Sequence, residues 1–153
     1  HALGAGNAQA ARNEGWVGIT LCALFMTCSA AVLLVFRDTV VGIYTNDTSV
    51  TSIAISLLLM AAIFQVVDGV QIGAAGALRG YKDTRVPMVI NTFAFWVVAF
   101  PAAYLAAVTY AAPPSYTWGA FVIGLSIAAT LLTTRYYFVS RRDVDGLPQT
   151  VQR

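Results

Sequence analysis

Four long apolar runs, roughly residues 16–36, 52–78, 86–108 and 117–139, constrain this chain more than any other feature. Each reaches the ~20 residues that a helix needs to cross about 30 Å of hydrocarbon. Composition points the same way: 58% of the 153 residues are hydrophobic, 10% are charged, and mean hydropathy is +0.71. A soluble domain carries about 25% charged residues, so too few charges remain here to cover a soluble fold. Strands of a membrane β-barrel would be about ten residues long with polar residues alternating, and these runs do not alternate. The expected fold class is therefore an all-α integral membrane protein with four transmembrane helices.

Residues 1–15 form a small-residue loop or short helix carrying Arg12 and Glu14. Gly4 and Gly6 begin a G-x-G, but position 9 is Gln and no strand precedes it, which discards a nucleotide site. The chain starts on His1 with no signal peptide, as a piece cut from a longer protein would. Trp16 suits the headgroup level at one end of the first span. Arg37 and Asp38 close that span as a solvated pair, and a loop runs on to Thr51. Asn46-Asp47-Thr48 matches a glycosylation sequon too short to carry weight. Cys22 and Cys28 lie on one helix in a geometry unsuited to pairing and are expected as apolar fillers.

Between the second and third spans, Arg79-Gly80-Tyr81-Lys82-Asp83-Thr84-Arg85 is compact and basic. Asp83 or Thr84 is expected to cap the next helix, with Pro87 in its first turn. Pro101 interrupts the third span and frees a carbonyl, so a kink is expected there. Pro113-Pro114 breaks the chain before the fourth span, and a polar tail covers residues 140–153.

Four spans place residues 1–15, the 79–85 loop and the tail on one side. That side holds Arg12, Arg79, Lys82, Arg85, Arg135, Arg141, Arg142 and Arg153, against Arg37 alone opposite. By the positive-inside rule both ends are cytoplasmic. No basic patch is interleaved with exposed aromatics, so nucleic-acid binding is not expected.

Asp68 is the one formal charge near the middle of any span. A carboxylate there costs about 2.5–3.5 kcal/mol on insertion scales, so such an acid is expected to be functional. At helical spacing Gln65, Asp68, Gly69, Ile72 and Gly76 share a stripe, with Phe64 and Gln71 flanking it. Gly69/Gly73 and Gly76/Gly80 both have the spacing that admits a second helix backbone. The stripe is thus expected to face protein or water. No basic residue lies at the depth of Asp68, which leaves a proton, a metal cation or a group elsewhere in the protein to neutralise it. Phe64, Phe93, Phe95 and Trp96 are candidate cavity aromatics, though each alone is more simply packing. The spans hold no His, no paired carboxylates and no nucleophile beside a base, so an enzyme is not expected.

The segments Phe64-Gln65-Val66-Val67-Asp68-Gly69-Val70-Gln71 and Ala75-Gly76-Ala77-Leu78-Arg79-Gly80-Tyr81-Lys82-Asp83-Thr84 carry a family likeness. The chain resembles the multidrug and toxic compound extrusion (MATE) family, above all its NorM-like bacterial branch. The start Gly4-Ala5-Gly6-Asn7 with Arg12, and the pair Phe100-Pro101, fit the same pattern. The resemblance covers essentially the whole chain, laid over the last four of twelve helices. It implies a two-lobe transporter that exports cationic amphipathic drugs against sodium ions or protons by alternating access, with no cofactor. It also implies a bacterial inner-membrane location, contact with membrane lipids, and the N-terminal lobe and the seventh and eighth helices as partners. Asp68 then matches the acid of the tenth helix that binds the coupling cation, a site for sodium if that is the ion. Gln65, Phe64 and Gln71 lie around it. Relatives often carry Tyr where this chain has Phe64, which keeps the ring and loses the hydroxyl. The partner acid of the seventh helix lies outside this sequence. Two alternatives remain at this point: a flippase for lipid-linked precursors, and a free-standing four-helix binding module.

Overall fold

A computed structural model describes residues 7–45 and 47–145. Gly4, Gly6, Asn46 and the end of the tail, with Arg153, lie outside the described residues. Among the described residues there are helices and no strands. Helix α1 (Ala8–Val35) starts where the Asn7 side chain accepts the Ala10 N–H at 2.9 Å, which satisfies one of the donors a helix start leaves open. It begins eight residues before Trp16, so that indole sits two turns inside the helix. A bend at Phe36 separates α1 from α2 (Arg37–Tyr44). The sequence reading had a loop here. The segment is helical because Val41 is buried and because Val40, Val41 and Tyr44 line a groove with Val50, Ala54 and Leu57 of α3. Arg37 and Asp38 form the expected pair, 3.8 Å apart and exposed.

Helix α3 (Thr48–Gly80) is capped by Asp47, which accepts the Ser49 N–H at 2.8 Å and the Ser49 hydroxyl at 2.6 Å. Its 33 residues give a rod of about 50 Å, longer than the hydrocarbon thickness. At its far end the Asp83 N–H bonds to the Leu78 carbonyl (3.1 Å) and the Lys82 N–H to that of Arg79 (2.9 Å). Lys82 takes the left-handed φ of 59°. These two bonds and that residue make a Schellman closure, and the 79–85 segment turns within it.

The third span comprises α4 (Arg85–Phe93), a π-helical stretch Ala94–Ala99, α5 (Phe100–Tyr104) and a second π-helical stretch Leu105–Thr109. Pro101 has no N–H and its ring crowds the carbonyl four residues back. The chain accommodates this by widening: the Phe100 N–H reaches five residues back to Phe95. Thr84 occupies the N-cap of α4 but makes no side-chain capping bond. Asp83 does not cap either. It lies one residue before the N-cap, and its carboxylate accepts a hydrogen bond from Arg135 Nε at 2.9 Å instead. Helix α6 (Pro114–Asp145) completes the chain.

The four long helices form a row in which α1 packs along α3, α3 along α6, and α6 along the third span. The tightest core lies toward the 79–85 end, where Ile19, Ala74, Leu78, Leu132 and Tyr136 are buried together with Trp16 and Tyr81 against them. Trp16 and Tyr81 both meet Tyr136 edge-on, at centroid distances of 5.4 and 5.8 Å. The Tyr136 hydroxyl donates to the Arg12 carbonyl at 2.9 Å. Gly15 is required beneath it, since a Cβ there would overlap that hydroxyl.

Candidate functional site

Each polar or aromatic residue singled out on α3 points to a different neighbour. Gln65 Nε2 donates to Ser29 Oγ on α1 at 2.7 Å. Gln71 is buried and its Nε2 donates to Asn91 Oδ1 on α4 at 2.8 Å. Phe64 meets Trp118 of α6 edge-on, with centroids 6.0 Å apart. Three neighbours of Asp68 thus tie α3 to α1, to the third span and to α6. Amide and hydroxyl bonds of this kind hold membrane helices together where no water competes.

Asp68 itself is half-buried, and among the described residues it has no hydrogen bond or ion pair. Its position on the helix explains this. With about 100° between successive residues, Gly69 and Gly73 face α1. A Cβ on Gly69 would lie 2.8 Å from Met26 Cγ, and one on Gly73 would lie 2.9 Å from Ile19 Cα. Gln71 marks the side toward the third span. Asp68, Ile72 and Gly76 occupy the arc between these two sides, away from α6. Ile72 is exposed, and nothing lies within 4 Å of a Cβ built on Gly76. The expected stripe therefore divides: Gln65 and Gly69 pack on α1, Ile72 and Gly76 lie open, and Asp68 is half-buried. Of the two glycine pairs, Gly69/Gly73 receives a helix and Gly76/Gly80 receives none among the described residues.

The chemistry available is that of one carboxylate beside a fixed amide. The Gln65 bond to Ser29 uses its nitrogen, which leaves the amide oxygen one turn from Asp68 without a hydrogen bond among the described residues. No cluster of three or more His, Cys, Asp or Glu side chains gathers there or elsewhere among the described residues. Phe93 and Trp96 are exposed, and Trp96 meets Phe100 in a tilted pair with centroids 5.8 Å apart. Sequence reasoning did not single out Ser29 or Trp118. Ser29 carried one faint signal, shared with Thr20 and Thr27: a hydroxyl within a largely apolar span.

A block of four membrane-length helices, with an acid on the open side of its longest helix, is part of an integral membrane protein. Comparison with known proteins places it more narrowly. The MatE family model matches residues 1–105. The chain is 41% identical over 142 residues to the "Probable multidrug resistance protein NorM" of Xanthomonas axonopodis pv. citri (strain 306), covering 93% of this chain and 31% of that protein. It is 38% identical over 146 residues to the "Multidrug resistance protein PmpM" of Pseudomonas aeruginosa, with 93% and 31% covered. The chain thus spans about a third of the length of these relatives. Its fold superposes on the crystal structure of the eukaryotic MATE transporter AtDTX14 with a TM-score of 0.79 and 19% identity, over 95% of this chain and 34% of that one. The chain belongs to the MatE family.

Proposed function

We propose that this chain is the C-terminal, four-helix part of a twelve-helix, two-lobe secondary multidrug exporter of the bacterial inner membrane, with both its ends cytoplasmic. The whole protein exchanges cationic amphipathic drugs for sodium ions or protons by alternating access. The names of the matched relatives, multidrug resistance proteins, favour this over a lipid-linked precursor flippase or a free-standing binding module. The observation that carries the reading is Asp68: a half-buried acid at span depth, unpaired among the described residues, on the side of α3 where Ile72 and Gly76 are exposed.

In this role Asp68 is the charge for which coupling cation and drug cation compete. Each ligand needs to favour only one of two conformations for the exchange to run. Gln65, held by Ser29, offers its amide oxygen to the same cation. Gln71 and Phe64 set the orientation of α3 through Asn91 and Trp118. The N-terminal lobe and the seventh and eighth helices supply the remaining wall of the cavity.

The test is Asp68→Asn in the full-length protein, which keeps the shape and removes the charge. Drug efflux from energised vesicles is expected to lose its dependence on an imposed sodium or proton gradient, while Asp68→Glu retains part of it. Efflux with unchanged ion dependence in Asp68→Asn removes Asp68 from the mechanism.

A further inference from the structure

The third span is held differently on the two sides of Pro101. On the side of the 79–85 turn, Pro87, Ala94 and Ala99 are buried, and Gln71 Nε2 of α3 donates to Asn91 Oδ1 at 2.8 Å. A Cβ on Gly124 of α6 would lie 2.6 Å from Ala99 Cβ, so the two helices meet there without a gap. On the other side, Ala103 is the one buried residue from Phe100 to Thr109. Among the described residues, no side chain in that stretch has a hydrogen bond or ion pair to α3 or α6. Beside it lies an open groove of about 360 Å³, lined by Met60 of α3, Ala102 and Ala106 of the span, and Gly119, Ala120 and Ile123 of α6. A Cβ on Gly119 would meet nothing within 4 Å.

The backbone between these two halves is the part least able to resist bending. Ala94–Ala99 is wound as a π-helix, with the Phe100 N–H reaching back to the Phe95 carbonyl, and Pro101 supplies no N–H at all. Both features recur where helices bend. The bend begins at the depth of Asp68. The Gln71–Asn91 bond sets the register of two antiparallel helices, and Asp68 and Ala94 each lie three residues, about 4.5 Å, from it on the side away from the turn.

We infer that the third span is a two-part helix: residues 85–93 are fixed to their neighbours, and residues 102–109 swing about 94–101 to close the groove onto Met60 and Gly119. Small side chains at Ala102, Ala106, Gly119 and Ala120 admit the close backbone approach that closure requires, and closure gains the contacts that an open groove forgoes. The swing gates the approach to the depth of Asp68 from the side opposite the 79–85 turn. That gating role rests on the transport reading above, whereas the bend itself does not.

The test places cysteines at positions 60 and 106 of the full-length protein, in a background without other cysteines, and follows disulfide formation in membranes under a copper–phenanthroline oxidant. Bonding requires the two Cβ atoms to come within about 4.5 Å, so its rate reports closure. Complete cross-linking is expected in the otherwise unmodified protein. Pro101→Ala, which straightens the span, and Gly119→Leu, which fills the groove, are each expected to slow it about tenfold or more. Gly119→Leu leaves the hinge and the Gly124 contact untouched, so the test does not depend on how well Pro101→Ala folds. The cross-linked protein is expected to lose drug efflux, and dithiothreitol to restore it. Absence of the cross-link, an unchanged rate in either variant, or efflux undiminished by complete cross-linking overturns the inference. The cross-linking rates do not involve the charge of Asp68, so a failure of the Asp68 reading is distinguishable from a failure of the hinge.

Discussion

Gly73 and Gly76 differ by three residues and should respond to the same substitution in opposite ways. A Cβ on Gly73 meets the backbone of α1 at Ile19 Cα, 2.9 Å away, whereas one on Gly76 meets nothing within 4 Å. Gly73→Ala is expected to cost about 1–3 kcal/mol, the usual range for overpacking, and Gly76→Ala to be nearly neutral. Thermal unfolding in detergent checks both. Small-residue spacing had marked the two pairs alike. Spacing reports which residues share a face, and only packing reports whether a helix lies on it. At Asp47 the bonds from the Ser49 hydroxyl and then the Ser49 N–H hold the carboxylate below its usual value of 3.8. A lowered value means that the carboxylate favours the folded helix start above pH ~4. The contribution is lost as pH falls through the lower folded value. Amide exchange at Ser49–Thr51, corrected for intrinsic rates, is expected to accelerate below that point in the unmodified protein. In Asp47→Asn, which cannot titrate, that acceleration should be absent.

At the scale of the element, the third span shows how a proline is absorbed without ending a helix. Gly124 of α6 packs against the widened segment, close enough that a Cβ would lie 2.6 Å from Ala99 Cβ and 3.0 Å from the Ala94 carbonyl oxygen. Pro101→Ala supplies an N–H for the Val97 carbonyl and removes the ring that crowds it. The expected outcome is a return of 94–99 toward regular α geometry, with α6 loosened at Gly124 and stability lowered by about 1 kcal/mol, the usual scale of a core misfit. A drop in the disulfide cross-linking rate between cysteines at positions 98 and 123 would check it. The proline was legible, and a kink at this position was expected; the described residues show a widened π-helical stretch around it. The π winding was not, because it depends on how closely α6 must approach. Helix α2 was missed for a related reason. Arg37–Tyr44 is short and begins with two charges, and its apolar side is stabilised only because α3 lies beneath it.

At the scale of the whole molecule, the row of helices is tied across its 79–85 end by Asp83 and Arg135, residues 52 apart in sequence. The Asp83 side chain is 14% exposed and that of Arg135 40%, so the pair is solvent-screened and is expected to contribute about 1 kcal/mol. Asp83→Arg or Arg135→Asp alone should cost at least that in thermal stability, and the double exchange should recover most of the loss. A double variant whose loss equals the sum of the two single losses would show that the pair is not coupled. The number of membrane-length spans followed from the chain alone, because backbone burial in hydrocarbon and the length of apolar runs leave an α-helical chain few alternatives. Asp68 as a candidate also came from the chain alone, since a mid-span charge is conspicuous without any coordinates. Which side of α3 stands open did not follow. Gln65, Asp68, Ile72 and Gly76 share one stripe by periodicity, but α1 packs on the Gln65 and Gly69 side and leaves Ile72 and Gly76 exposed and Asp68 half-buried. That choice rests on contacts between helices far apart in sequence. The helical repeat orders residues around one axis and carries no information about where the neighbouring axes lie.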